Sequence, residues 1–176
     1  MIIGVVSLAR AGKDTFADYL VSNYDFKKIN TSDVLHDYFI NKGETPTKDK
    51  MSILADKWRK ESSRMDIVTF KSLKKMDEFN HYVITGFRSK QEADLMREMF
   101  PDSTLVSIMS DKELRYSRRT HEDPQSIKDF FGRDERDIKN KGLAEVIVDA
   151  DYYLINNDSL QNFYNQIKDF MKKIKR

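Results

Sequence analysis

The feature that most limits how this chain can fold stands at its start. Ile2-Ile3-Gly4-Val5-Val6 is an apolar, β-branched run interrupted only by one glycine. A run without polar alternation suits a strand covered on both faces, as in a parallel sheet between helical layers. It leads directly into Ser7-Leu8-Ala9-Arg10-Ala11-Gly12-Lys13-Asp14-Thr15, after which Phe16, Ala17, Tyr19 and Leu20 recur at helical spacing. Strand, small-residue turn, Gly-Lys and helix, in that order, is the layout of a phosphate-binding loop, G-x-x-x-x-G-K-S/T. In such a loop backbone N–H groups curl around phosphate oxygens, the helix N-terminus adds positive potential, and the lysine reaches the β- and γ-phosphates. Ser7 replaces the first glycine of the pattern, and Asp14 stands at the S/T position with Thr15 next to it. The expected nucleotide-binding set is therefore Ala9, Arg10, Ala11, Gly12, Lys13, Asp14 and Thr15. Asp14 and Thr15 are the positions for a bound Mg²⁺.

Strands and helices alternate along the rest of the chain. Lys27 to Asn30, Tyr82 to Thr85, Ser103 to Met109 and Tyr152 to Asn156 read as further strands. Thr31-Ser32-Asp33 offers an N-cap to a helix over Val34–Asn41. Gly43 to Thr47 is a loop, and from Lys48 to Glu78 the apolar residues keep helical spacing, with Trp58 reading as core rather than as a base-stacking platform. Asp111 to Thr120 reads as a helix, His121 to Asn140 is almost wholly polar, and Asp123-Pro124 is a helix start. Leu160, Phe163, Ile167, Phe170, Met171 and Ile174 form the apolar stripe of a last helix. This alternation predicts a three-layer α/β/α fold with a five-stranded parallel sheet and right-handed crossovers. Ligands in such folds bind at the carboxyl ends of the strands.

Composition narrows the class. The 176 residues are enough for one domain with its own core. Cysteine is absent, which excludes disulfide scaffolds, thiolate metal sites and thiol catalysis. His36, His81 and His121 lack the spacing of a histidine metal site. Lys+Arg 31 against Asp+Glu 29 gives a net charge of +2, without the basic excess of a nucleic-acid binder. No apolar run approaches the ~20 residues of a membrane span, and the apolar start has no basic segment before it. A cytoplasmic protein free of membrane and acting on a small molecule is expected.

Several stretches carry a family resemblance. Ala11-Gly12-Lys13-Asp14-Thr15 resembles the G-K-G-T loop of adenylate-kinase-like nucleoside monophosphate kinases, and in its Asp form that of phage deoxynucleoside monophosphate kinases. Thr31 to Leu35, Val83 to Ser89 and Arg133 to Asn156 resemble an archaeal family of P-loop proteins related to adenylate and dephospho-CoA kinases, in order over nearly the whole chain. The resemblance implies ATP and Mg²⁺, an acceptor-binding helical insert over about residues 32–79, and a lid over about residues 120–141. Gly86-Phe87-Arg88 is similar to the turn with which adenylate kinases grip the acceptor phosphate, a task suited to a planar guanidinium. It implies acceptor contacts from Ser32, Asp33, Arg59, Gly86 and Arg88. Asp33 also reads as a helix N-cap or as an orienter of water around the metal. Arg115, Arg118 and Arg119 lie on the helix leading into the lid, where the family's arginines stack on the donor base or touch phosphates. Arg133 and Arg136 match the returning lid arginines, or form a salt-bridged helix face. The implied catalytic set is Lys13, Arg88, Arg119, Arg133 and Arg136, with Arg115 on the donor.

The pattern breaks at one position. The family carries Asp at the end of the third strand, where it orders Mg²⁺ through water; here that residue is Thr85. Asp14 is the carboxylate that would compensate. The expected reaction is transfer of the γ-phosphoryl group of ATP to a (deoxy)nucleoside monophosphate. Dephospho-CoA is the alternative acceptor, and a nucleotide-dependent switch with slow ATPase the alternative class.

Overall fold

The computed structural model describes residues 1–175. Five strands, β1 (Ile2–Ser7), β2 (Phe26–Asn30), β3 (His81–Thr85), β4 (Thr104–Met109) and β5 (Tyr152–Ile155), form one sheet in the order β2-β3-β1-β4-β5. Every pairing is parallel. The strands after β1 go first to one side of it and then, from β4, to the other. The carboxyl end of β1 is thus the topological switch point, where open α/β sheets bind ligands.

Helices cover both faces. On one, Ile3, Val5, Val83, Val106 and Ile108 pack against α1 (Lys13–Tyr24) and α9 (Leu160–Ile174) through Phe16, Leu20, Phe163, Ile167 and Phe170. On the other, Val6, Ile84 and Leu105 pack against α5 (Lys90–Met99) and α8 (Leu143–Val148) through Met96, Leu143 and Val146. Burial on both faces explains why β1 reads as a continuous apolar run. A third cluster, Leu35, Phe39, Leu54, Ala55, Ile67 and Val68, lies among α2 (Asp33–Ile40), α3 (Lys48–Ser62) and α4 (Ile67–Leu73). These helices have their own small core beside the sheet. Trp58 packs against that core, edge-on to Tyr38. The remaining helices are α6 (Lys112–Ser117) and α7 (Ile127–Lys141).

Three local expectations are corrected. The helical pattern over Lys48 to Glu78 is two helices, because Ser63 turns left-handed at φ 57° and Arg64 ties back onto Asp66. Asp123-Pro124 does not start α7; Ser126 does, accepting the Asp129 N–H. Asp123 is unavailable as a cap because its carboxylate is already taken by Thr120, Arg10 and Arg133. The helix α8 has no counterpart in the sequence reading, since six contiguous, mostly apolar residues show no period. At the β5 edge the Gln166 amide accepts from the Ile155 N–H and donates to its carbonyl. No helix of the described residues is long and apolar enough to cross a membrane.

Candidate active site at the carboxyl end of the sheet

The loop between β1 and α1 turns by placing two residues in the left-handed region, Arg10 at φ 62° and Gly12 at φ 119°. Alternating hands along a loop bring successive N–H groups to its concave side, an anion-binding nest. Gly12 is required twice over: its φ disfavours any side chain, and a Cβ there would sit 2.4 Å from Asn156 Nδ2. Behind the loop, Arg115 Nη1 donates to the Ala9 carbonyl at 3.1 Å and Asn156 Nδ2 to the Ala11 carbonyl at 2.8 Å.

At the start of α1, Lys13 Nζ lies 2.5 Å from Asp14, whose second oxygen is 3.2 Å from Lys28 Nζ. Burial alone would raise the Asp14 pKa, but Lys13 and Lys28 outweigh it and hold the carboxyl below its ordinary value. Thr15 is half-buried beside it, whereas Thr85 is fully buried with its hydroxyl 3.5 Å from the Ile29 carbonyl. No group of three or more His, Cys, Asp or Glu capable of holding a metal occurs among the described residues. One carboxylate and one hydroxyl fit Mg²⁺ in the mode where phosphates and water supply the other ligands.

The arginines divide into distinct groups. Asp123, 8% exposed, joins the loop to α7: it accepts from Arg10 Nε at 2.6 Å, Arg133 Nη1 at 2.8 Å and the Thr120 N–H at 2.9 Å. Burial would raise its pKa, yet the Thr120 N–H and the Arg133 and Arg10 guanidiniums hold it far below the usual carboxylate range. Arg133 has one end occupied in this way, while its Nε and Nη2 are buried without a partner. Those two atoms share one edge of the guanidinium, the fork that grips a phosphate side-on. Arg119 lies over the Tyr116 ring at 4.0 Å and also keeps a buried, unpartnered Nε. Arg115 sits differently from the expected place on the donor: its side chain is 5% exposed, paired with Asp134 at 2.8 Å, and it touches the loop from behind. Arg118 is engaged with Ser110 and the Asn156 carbonyl.

At the carboxyl ends of β2 and β3, Gly86 at φ 102° lets the chain after β3 close on the end of β2, where a Cβ would meet Thr31 Oγ1 at 2.5 Å and Asn30 Oδ1 at 2.7 Å. Asn30 Oδ1 accepts from Ser32, and Asp33 reaches back to the Asn30 N–H. Gly86, Ser32 and Asp33 are thereby brought together. Arg88 is exposed just before α5; its backbone N–H donates to the Glu92 carboxylate at 2.7 Å, and its guanidinium lies 4.0 Å from Asp137 of α7. Arg136 is exposed on α7. Arg59 is not drawn to this group; it is tied locally to Asp56 and the Met65 carbonyl. Lys28, Asp134 and Asn156 escape the sequence reading and Asp123 figures there only as a helix start, because each has a partner 14 to 145 residues away that no local pattern marks.

A family model described as "AAA domain" matches residues 3–140, which is most of the chain. The chain belongs to this AAA-domain family. Among curated proteins, this AAA-domain chain is 27% identical over 180 residues to the UPF0200 protein of Methanothermobacter thermautotrophicus, covering 99% of this chain and 90% of that one. It is 25% identical over 185 residues to the UPF0200 protein of Thermococcus gammatolerans, covering 100% and 96%. Among solved structures it is similar to shikimate kinase from Bacteroides thetaiotaomicron, with TM-score 0.65, 13% identity and 98% of both chains covered. Shikimate kinase from Aquifex aeolicus gives TM-score 0.61 at 15% identity, covering 98% of this chain and 96% of that one. At such identities the likeness to the solved structures shows the fold alone, that of the P-loop kinases.

Proposed function

We propose that this protein is an ATP-dependent phosphotransferase whose acceptor is nucleotide-like, in the first place a (deoxy)nucleoside monophosphate. The observation that carries the reading is the vacant Nε/Nη2 edge of Arg133, tied through Asp123 to a loop with the backbone of a phosphate nest. Phosphoryl transfer needs little covalent chemistry from the protein; positioning and charge neutralisation carry it. In this reading Lys13 and the loop N–H groups bind the β- and γ-phosphates, and Arg133, Arg119 and Arg136 neutralise the group in flight. Ala9 to Thr15 form the donor cradle, with Arg115 behind it. Ser32, Asp33, Gly86 and Arg88 orient the acceptor, with Arg59 at the edge of the insert. Asp14 and Thr15 would hold Mg²⁺, which supplies charge neutralisation between the phosphates. The helices over about 32–79 act as the acceptor-binding insert and residues 120–141 as the lid.

The reading is tested by ATP consumption with each common ribo- and deoxynucleoside monophosphate, dephospho-CoA and shikimate. Stimulation by a monophosphate supports it; stimulation by dephospho-CoA or shikimate alone replaces the acceptor. A second reading, a nucleotide-dependent switch, is favoured by Thr85, a buried hydroxyl at the end of β3 where the resembled kinases carry a carboxylate. Slow hydrolysis that no acceptor stimulates would select it.

A further inference from the structure

Two buried side chains approach the phosphate loop from the protein interior, and each takes a carbonyl. Asn156, at the carboxyl end of β5 and 8% exposed, donates Nδ2 to the Ala11 carbonyl at 2.8 Å. Arg115, 4% exposed, donates Nη1 to the Ala9 carbonyl at 3.1 Å. In a planar trans peptide the C=O and the following N–H point in opposite directions. A carbonyl held from inside therefore turns the next N–H outward. Pinning Ala9 aims the Arg10 N–H, and pinning Ala11 aims the Gly12 N–H, toward the concave side of the loop. The two residues after the pinned carbonyls are the two left-handed ones, at φ 62° and 119°.

We propose that Asn156 and Arg115 are positioning residues that set the phosphate-binding N–H groups of Gly12 and Arg10, each through the carbonyl before it. This rests on reading the loop as a phosphate cradle. Neither side chain touches phosphate in this arrangement. Each is itself fixed by another element. Asn156 packs where Gly12 has no Cβ, and its own carbonyl accepts from Arg118 of the segment after β4. Arg115 is held by Asp134 of the lid helix at 2.8 Å, so the lid helix reaches one of the two loop peptides.

The experiment uses the full chain and inorganic tripolyphosphate, a probe without base or sugar. Affinity is measured by calorimetry for wild type, Asn156→Ala, Asn156→Asp, Arg115→Met and Lys13→Met, and the backbone amide resonances of Arg10 and Gly12 are followed by NMR. In the wild type both amides shift downfield on saturation. Asn156→Ala and Asn156→Asp weaken binding on the order of tenfold to a hundredfold, as for loss of one buried hydrogen-bond partner. They abolish the Gly12 shift while the Arg10 shift remains. Arg115→Met gives the reverse pattern, a signature that general destabilisation does not produce. Asn156 variants within twofold of wild type, or loss of both shifts together in either variant, would overturn the proposal. If a variant does not fold, the wild-type amides decide: binding without a shift at Gly12 and Arg10 also overturns it. Wild type that fails to bind tripolyphosphate, or Lys13→Met that binds it equally well, brings down the cradle reading itself.

Discussion

Replacing Asp123 by Asn removes one negative charge from between two guanidiniums while keeping the volume of the side chain. Asp123 has a side chain only 6% exposed, whereas Arg10 and Arg133 are 35% and 29% exposed, so the two cations keep access to water when the carboxylate is lost. Breaking a fully buried pair costs about 3–5 kcal/mol and an exposed one ~0.2–1 kcal/mol. The half-buried arrangement falls between, at ~1–3 kcal/mol. For a chain of this size each kcal/mol moves the melting temperature by ~2–4 °C, so Asp123→Asn should melt ~2–12 °C below wild type at pH 7. The sign with pH follows from the lowered pKa of Asp123. A carboxylate more acidic in the folded than in the unfolded state adds its full stability above the unfolded value near 3.9, and loses it progressively as pH falls below that. The gap between wild type and variant should therefore be flat from pH 8 to about pH 5 and narrow below about pH 4. Thermal and urea unfolding of both proteins across pH 2.5 to 8 provides the check. A difference under about 1 °C at pH 7, or a gap that widens in acid, would refute the assignment of Asp123 as the charged junction of the loop and α7.

Other perturbations separate the roles within the site. Lys13→Met should lower turnover by ~10²–10³, since it removes a charge that follows the phosphoryl group into the transition state; wild-type turnover by the variant sinks the loop assignment. Arg88→Ala should depress acceptor-dependent turnover while leaving the dissociation constant for MgATP within about twofold, and equal loss of ATP affinity would move Arg88 to the donor side. Asp14→Asn should shift the Mg²⁺ midpoint for ATP binding to higher concentration, because a hard divalent cation needs anionic oxygen nearby; an unchanged titration would remove Asp14 from the metal.

What the sequence discloses is what short-range physics writes into it. The β1 run, the Gly12-Lys13 turn and the α9 stripe each express a period or a motif within about fifteen residues, and each takes its expected place in the structure. The segment holding α3 and α4 is visible as helical spacing but not as two helices, because the break at Ser63 is set by a local turn and not by Gly or Pro. The loop's supports are invisible for a different reason. Asn156 meets Ala11 across 145 residues of chain and Arg115 meets Ala9 across 106, so neither side chain differs, in its own neighbourhood, from an ordinary polar residue at the end of a strand or on a helix. Arg115 shows how a correct element with a correct residue type still leaves the direction of a side chain open. Its helix was legible, while its turn toward Asp134 and away from solvent came from α7, a separate element.

The bracket formed by Gln166 has a consequence for assembly. A parallel sheet that ends in a bare strand offers a row of hydrogen-bonding groups to any extended chain, and proteins must block such edges or risk growing through them. Here the blocking group is a side-chain amide that imitates a neighbouring strand, giving Ile155 both an acceptor and a donor from α9. β5 is only four residues long, and alternation leaves Tyr153 as its other outward-facing position, so little of that border stays open to a passing strand. The terminal helix thus acts as a selvage, finishing the fabric of the sheet so that it neither frays nor takes on another thread.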